Sequence, residues 1–261
     1  GQLTAAYLAR HAGALRVAIA GRNRDKLDRL QRDLQERFAG VDIGVVEANT
    51  GDPASLERLA EQARVVVTTV GPYADYGEPL VKACVERGAH YLDITGEPAF
   101  VSSIQERYHE AAEDSGLFII SCCGFDSLPA DLGALYTVQQ LPEGHRNSIE
   151  AFVQTRGSFS GGTWNSAVNA MAQGAPSGGS SARSGASKRA RPKVHYREEI
   201  KGWAIPMPVI DPVIVRRSSR ARPDLYGEDF SYAQYLRVGS LGGVATLFGG
   251  MAGLFALAQF E

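Results

Sequence analysis

Arg16-Val17-Ala18-Ile19-Ala20-Gly21-Arg22 is the stretch from which the fold of this chain is predicted. A short apolar run of this kind is typical of a strand buried in a parallel sheet. A helical pattern covers residues 3–11 before it, and a strongly amphipathic pattern covers residues 25–38 after it. Together these patterns predict the second half of a βαβ unit. We expect the first strand of the unit and its glycine-rich loop to precede Gly1.

The same alternation continues to about residue 123. Further strands are predicted over residues 41–47, 64–70, 90–94 and 117–122, and helices over residues 52–63, 77–87 and 98–115. The run 64–70, RVVVTTV, has the composition of a strand that is buried on both faces. Strands that alternate with helices in this way form right-handed crossovers. The fold class predicted is therefore α/β, with a doubly wound parallel sheet of the Rossmann type whose first strand is missing.

The residue that ends the second strand of a dinucleotide-binding βαβ unit contacts the adenosine ribose. An Asp or Glu there binds the 2′-hydroxyl of NAD, whereas an Arg accommodates the 2′-phosphate of NADP. Arg22 occupies this place, and no carboxylate comes before Asp25. The sequence thus predicts a redox domain with NADP(H) as its cofactor. The alternative is that Arg22 is an ordinary surface arginine.

Three parts of the chain are predicted from the change of pattern. Residues 1–130 would form the NADP(H)-binding domain, and residues 131–237 part of a second α/β domain with a mobile loop over residues 175–193, rich in Ser, Gly and basic residues. Residues 238–261 would form an apolar helix. The uncharged run 238–260, from Val238 to Phe260, would span about 34 Å as a helix, enough for the ~30 Å core of a bilayer. A buried helix or a surface for a partner protein is the alternative to membrane contact.

Composition excludes some classes of function. The formal net charge of −2 gives no support for binding to nucleic acid. The three cysteines, Cys84, Cys122 and Cys123, do not form a disulfide framework and indicate a reducing compartment. The five histidines are scattered without ligand spacing, so no metal site is predicted. We expect a cytoplasmic protein, with the membrane contact, if present, on the cytoplasmic face.

Ligands of an open α/β sheet bind outside the carboxyl ends of its strands. The residues expected there fall into a set for the cofactor and a set of catalytic candidates. The cofactor set is Gly1, Arg22, Asn49, Gly71, Pro72, Tyr73 and Gly96. The catalytic candidates are Tyr73, Asp126 and Ser127.

The chemistry of these residues suits them to the site, and some of them could instead have a purely structural role. Gly1 would let the helix that follows it approach the pyrophosphate closely, and Asn49 could both accept and donate at the adenine edge. Tyr73 offers a hydroxyl for proton donation. Asp126 and Ser127 could instead cap the helix that follows them, as Glu97 could for the helix starting at Pro98.

Five strings extend these observations: AGRNRDKL at residues 20–27, VGPYADYGEPLVKAC at 70–84, YLDITGEP at 91–98, CGFDSLPADLG at 123–133 and GGTWNSA at 161–167. On these strings the chain resembles the saccharopine dehydrogenase-like oxidoreductases, and within them the trans-acting enoyl reductases of complex-lipid biosynthesis. One departure is Asn49, where members of the family tend to have Asp.

The resemblance implies a Rossmann domain followed by a smaller α/β domain, with more sequence beyond Glu261. It implies reduction of a carbon–carbon double bond in an acyl or polyketide substrate, which could be held by a carrier. It does not supply a catalytic residue. Two other functions remain open: a non-catalytic, lipid-associated protein that binds the dinucleotide, and a reductase of a keto or imino substrate.

Overall fold

The protein is described here by a computed structural model that covers residues 1–38, 40–125, 127–142, 145–154, 193–207, 209–246 and 249–250. The chain divides into two compact units, Gly1–Cys123 and Gly124–Glu261.

The first unit alternates helices and strands along its whole length. Its strands are β1 (Val17–Gly21), β2 (Ile43–Glu47), β3 (Val65–Thr68), β4 (His90–Asp93) and β5 (Ile119–Ile120). Its helices are α1 (Gln2–His11), α2 (Arg24–Arg37), α3 (Pro53–Gln62), α4 (Tyr73–Tyr76), α5 (Glu78–Arg87) and α6 (Pro98–Asp114). This order confirms the α/β fold class predicted from the sequence.

Every strand pair in the first unit is parallel. β1 pairs with β2, and β4 lies between β3 and β5. The registers place Gly21 beside Glu47 and Thr68 beside Asp93. Because the strands of each sheet run in one direction, their carboxyl ends lie at one edge, where ligands of such sheets bind.

The amphipathic pattern of α2 is explained by the core that it covers. Leu27 and Leu34 are buried together with Ile19 of β1 and Ile43 of β2. Asn23 starts the helix, since its side-chain oxygen accepts a hydrogen bond from the amide of Lys26 at 2.9 Å. The apolar face of α2 therefore packs against β1, the strand that ends directly before Arg22.

The prediction that β3 is buried on both faces is wrong. Val66 and Thr68 are buried, whereas Val65 and Val67 are 46% and 45% exposed. Successive side chains of a strand point to opposite faces. The face of β3 that carries Val66 packs on the core that α3, α5 and α6 help to form. The opposite face, which carries Val65 and Val67, is partly exposed to solvent. The apolar composition of this strand therefore predicts more burial than the structure shows.

One smaller prediction also differs from the structure. β5 covers only Ile119–Ile120 of the predicted 117–122, and Cys122, with a positive φ of 64°, does not have an extended conformation. Asp52 is the N-cap residue of α3, but its side chain makes no capping hydrogen bond. The serine hydroxyl of Ser55 instead donates to the carbonyl of Asp52 at 2.7 Å and closes the turn.

The second unit is built on a sheet of its own. Its strands are β6 (Ser148–Val153), β7 (His195–Arg197), β8 (Gly202–Pro206) and β9 (Ser231–Val238), in the order β6-β9-β8-β7. β6 runs parallel to β9, and the other pairs are antiparallel. Among its described residues, the helices with full bounds are α7 (Leu128–Val138), α8 (Asp211–Ala221) and α9 (Pro223–Tyr226).

The predictions for the loop and the tail fall largely outside the described residues. Of residues 175–193, only Lys193 is described. Val238 is the last residue of β9, and within the predicted helix, residues 241–246 are helical. Within the parts of the chain that the structure describes, no helix is both long and apolar enough to cross a bilayer.

Substitution of Gly77, between α4 and α5, tests how tightly the core of the first unit is packed around Phe100. A Cβ atom there would lie 2.8 Å from the carbonyl oxygen of Tyr73 and 2.5 Å from Cζ of Phe100. We expect Gly77→Ala to lower the free energy of unfolding by about 1–3 kcal/mol, because overfilled cores are strained. A Cβ atom at Gly133 of α7 would have no atom within 4 Å, so Gly133→Ala should instead stabilise by about 0.5–1 kcal/mol. Urea unfolding measures both, and equal effects of the two variants would contradict the packing described.

Candidate functional site

The carboxyl edge of the β1–β2 sheet carries two of the predicted cofactor residues. Arg22 directly follows Gly21, the last residue of β1, and its side chain is exposed. The carbonyl of Gly21 accepts a hydrogen bond from the amide of Ala48 at 3.0 Å, which joins the exit of β2 to that of β1. Arg22 and Asn49 thus leave neighbouring strand ends.

Arg22 differs from the next arginine in its partners. Nε of Arg24 lies 2.9 Å from Oδ1 of Asp28, one turn along α2. Arg22 makes no side-chain hydrogen bond or ion pair with any described residue, and Lys26 contributes only its backbone amide to the Asn23 cap. A guanidinium in this state is available to an anion outside the strand end.

Asn49 is already used in part by the fold. Its side-chain oxygen accepts from the amide of Gly51 at 3.1 Å, and its carbonyl accepts from the amide of Asp52 at 2.9 Å. These bonds form the turn between β2 and α3. The amide nitrogen of the side chain remains as the donor toward a ligand, so the acceptor role predicted for Asn49 belongs to the turn.

Gly1 lies at the start of α1 and its carbonyl accepts from the amide of Ala5 at 2.8 Å. A Cβ atom at Gly1 would come within 3.3 Å of Oγ1 of Thr69. The helix therefore begins close against the exit of β3, a place where a larger residue would need Thr69 to move.

Tyr73 lies at the exit of β3, after a cis Gly71–Pro72 peptide bond. Its side chain is 6% exposed, and its hydroxyl donates to the carbonyl of Thr68 at 3.1 Å. The ring packs on Phe100 with centroids 5.8 Å apart. From its buried position, Tyr73 therefore stabilises the end of β3 through this hydrogen bond to Thr68. Its role as a proton donor stays a prediction, and that role would require the bond to Thr68 to break.

Glu97 does not cap α6, the helix that starts beside it. Its two carboxylate oxygens instead accept from the backbone amides of Tyr73 at 3.0 Å and Ala74 at 2.8 Å. These are the first amides of α4, where a negative charge is stabilised by the helix dipole. Gly96, exposed beside Glu97, lies in the same loop. The capping role open for Glu97 is thus fulfilled at a helix that comes well before it in the chain.

Asp93, which is not among the residues predicted from the sequence, is the buried centre of this edge. Its Oδ1 accepts from the amides of Thr95 at 3.0 Å and Cys122 at 2.9 Å, and its Oδ2 accepts from the hydroxyl of Ser121 at 2.9 Å. The side chain is fully buried. An aspartate that ends an apolar strand at the ligand edge is the signal that could have identified it.

The Asp93 contact also holds an unusual backbone conformation. Cys122 has φ of 64°, a left-handed value that costs a residue with a side chain roughly 1–2 kcal/mol. Its amide donates to Asp93, and the next amide, of Cys123, donates to the carbonyl of Asp93 at 2.7 Å. The turn after β5 is therefore fixed by β4.

The remaining catalytic candidates belong to the second unit. Ser127 is the N-cap residue of α7, yet its side chain makes no capping bond, so the predicted cap is wrong. Its hydroxyl is buried and has no hydrogen-bond partner among the described residues. Asp126 lies outside the described residues. Ser127 as a proton donor stays a prediction.

The surroundings of Cys84 and Cys123 favour the neutral thiol. Burial raises the pKa of Cys84 to about 12. Burial, and then the charge of Asp93, raise the pKa of Cys123 above its ordinary value. A nucleophilic cysteine needs the opposite shift, so the interpretation of these residues as packing groups is favoured. Over the described ranges, no three His, Cys, Asp or Glu side chains group as metal ligands would.

The thiol of Cys84 gives a pH-dependent prediction. We expect iodoacetamide at pH 8 to leave Cys84 unmodified in the folded protein and to alkylate it in denaturant, because the thiolate is the reactive form. The unfolded thiol ionises near pH ~8.5. The stabilising contribution of the buried neutral thiol is therefore complete below that pH and is lost as the pH rises toward the folded pKa of about 12. Mass spectrometry measures the alkylation, and equal rates in the folded and unfolded states would contradict the burial.

Comparison with known proteins adds the family. Residues 1–120 match the model of the saccharopine dehydrogenase NADP-binding domain. A human saccharopine dehydrogenase-like oxidoreductase is 37% identical over 92% of this chain and 59% of its own length. A proposed trans-acting enoyl reductase of Mycobacterium tuberculosis is 35% identical over 99% of this chain and 68% of its own length.

Two further proteins are similar to this chain over smaller parts of their length. The lipid droplet localized protein of Caenorhabditis elegans is 35% identical over 78% of this chain and 52% of its own length. Among solved structures, the saccharopine dehydrogenase (L-Glu forming) of Saccharomyces cerevisiae is 15% identical, with a TM-score of 0.47, over 59% of this chain and 32% of that one. The chain thus spans about half to two thirds of the length of the curated relatives it matches. On the sequence matches, the chain belongs to the saccharopine dehydrogenase-like oxidoreductase family, and its first unit carries that family's NADP-binding domain.

Proposed function

We propose that this chain belongs to an NADPH-dependent reductase of a carbon–carbon double bond in an acyl or polyketide intermediate. The observation that carries the proposal is the exposed Arg22 guanidinium, which has no described partner and directly follows β1. Membership of the oxidoreductase family supports the redox chemistry. The acyl substrate is supported by the description of the mycobacterial relative.

The adenosine half of the coenzyme would lie at the edge of the β1–β2 sheet. The Arg22 guanidinium would hold the 2′-phosphate, since planar, charged donors bind phosphate strongly. Asn49 would donate its side-chain amide toward the adenine. Gly1 would let the pyrophosphate approach the start of α1, where backbone amides and the helix dipole favour an anion. These residues fit the phosphorylated coenzyme better than NAD, which would need a carboxylate at position 22.

The nicotinamide half would lie at the edge of the β3–β4–β5 sheet, by the loops that hold Gly71, Pro72, Tyr73 and Gly96. When bound, NADPH supplies a hydride for the β-carbon of the double bond, while the α-carbon takes a proton, so that the alkene becomes saturated and NADP⁺ remains. The protein's part in this reaction is to orient the ring and exclude water. Tyr73 and Ser127 remain the hydroxyl candidates for the proton, and the Tyr73 hydroxyl would first have to release the carbonyl of Thr68.

A second candidate is a lipid-associated protein that binds the dinucleotide without turnover. The relative from Caenorhabditis elegans, named for lipid droplets, favours an association with lipid. Both functions share the coenzyme site, so turnover separates them.

The charge at position 22 provides the sharpest test of the coenzyme. We expect Arg22→Asp to weaken NADPH binding by roughly 10- to 100-fold, since a hydrogen bond to a charged group contributes ~1.5–3 kcal/mol. NADH has no 2′-phosphate, so its affinity should change little. Isothermal titration calorimetry measures both. Arg24→Asp makes the same change of charge two residues away, where the side chain is paired with Asp28, and should cost NADPH binding much less.

Equal losses of NADPH and NADH affinity in Arg22→Asp would contradict the phosphate role. So would a loss of the same size in Arg24→Asp, since that would indicate only a general effect of local charge.

The acceptor is tested by turnover. We expect purified protein to oxidise NADPH in the presence of trans-2-enoyl thioesters, with kcat/KM rising with acyl chain length, because longer chains bury more apolar surface. Absorbance of NADPH follows the reaction, and saturated thioesters of equal length serve as controls. Tight NADPH binding without turnover on any enoyl thioester would favour the lipid-associated protein. Turnover only on soluble keto or imino acids would favour the reductase of a keto or imino substrate.

A further inference from the structure

Three loops at the carboxyl edge of the β3–β4–β5 sheet are joined by hydrogen bonds through two acidic side chains. They are the exit of β3 (residues 71–74), the exit of β4 (residues 94–97) and the exit of β5 (residues 121–123). We name this set the edge network. Every contact in it lies within the first unit.

Asp93 joins the exits of β4 and β5. One carboxylate oxygen takes the amides of Thr95 and Cys122, and the other takes the hydroxyl of Ser121. Burying a carboxylate is unfavourable unless donors surround it, and here three donors do so. The charge cannot leave this place without losing those donors, which makes the connection between the two loops stiff.

Glu97 joins the exits of β4 and β3. Its carboxylate holds the amides of Tyr73 and Ala74, while its own amide donates to Oγ1 of Thr95 at 3.1 Å. Thr95 is in turn held by Asp93. The chain of contacts therefore runs without a break from Ser121 to Ala74, across three strands.

We propose that Asp93 is a positioning residue for the nicotinamide half of the coenzyme. This inference rests on the proposed function and deepens it. In a doubly wound domain each half of the sheet serves one half of the dinucleotide. Arg22 and Asn49 lie at the β1–β2 edge, and the edge network lies at the β3–β4–β5 edge. Asp93 is buried and its carboxylate is already occupied by three donors from the protein, so it would act by fixing the backbone of the loops around the coenzyme.

This role separates two ligands that share an adenosine end. Adenosine 2′,5′-bisphosphate has the 2′-phosphate but no nicotinamide. We expect Asp93→Asn to weaken NADPH binding about tenfold, equal to 1.4 kcal/mol, and to leave binding of the bisphosphate within about twofold. The fluorescence of bound NADPH, which reports the surroundings of its ring, should fall toward that of free NADPH. Arg22→Asp should instead weaken both ligands.

Asp42→Asn is the matched control, because Asp42 is exposed and has no side-chain partner among the described residues. It should change neither ligand. If Asp93→Asn does not fold, the pair Ser121→Ala and Ser121→Thr decides the question. Ser121→Ala removes one donor to Asp93 and should lower NADPH affinity alone, whereas Ser121→Thr keeps the hydroxyl and should restore it.

The outcomes separate the two proposals. If the unmodified protein binds neither NADPH nor the bisphosphate, the proposed function fails and this inference with it. If it binds both, and the Asp93 or Ser121 variants weaken both ligands equally, the network has only a structural role and this inference is overturned while the coenzyme assignment stands. The same holds if these variants fold and leave both ligands and the fluorescence unchanged.

Discussion

The carboxyl edge of the β3–β4–β5 sheet depends on the hydrogen bonds that the buried carboxylate of Asp93 accepts. Parallel strands bring their carboxyl ends to one edge, but they leave the loops there without ladder partners. Asp93 supplies acceptors to the backbone of two of these loops, and it holds Cys122 in a left-handed conformation that the residue would not adopt alone. Glu97 extends the same solution to a third loop. Charge that is costly to bury thus lies where loop geometry matters most.

Much of the fold could be predicted because its signals are local. The apolar run that ends at Gly21, the amphipathic α2 and the proline at the start of α3 depend on neighbours within a few residues. The exposure of Val65 and Val67 could not be predicted in this way, because it depends on which elements cover a sheet face. The composition of β3 carries no information about that cover.

The candidate site divides along the same line. Arg22 was predicted because its place follows from one strand and one spacing. Glu97 was expected at the nearest helix, whereas its carboxylate reaches α4, and Asp93 was missed because its donors lie up to 29 residues away. Ser127, which could have capped α7, makes no capping bond. For Glu97 and Asp93, contacts between distant parts of the chain decide the outcome.

The two halves of a phosphorylated dinucleotide would bind at two strand edges, with a guanidinium at one and a hydrogen-bonded set of loops at the other. The most direct measurement is a crystal structure of the protein with NADPH bound. The account predicts 2′-phosphate oxygens within about 3 Å of the Arg22 guanidinium, with the nicotinamide ring over the exits of β3 and β4. A coenzyme bound with its 2′-phosphate away from Arg22, or with its nicotinamide outside the edge of the β3–β4–β5 sheet, would contradict it.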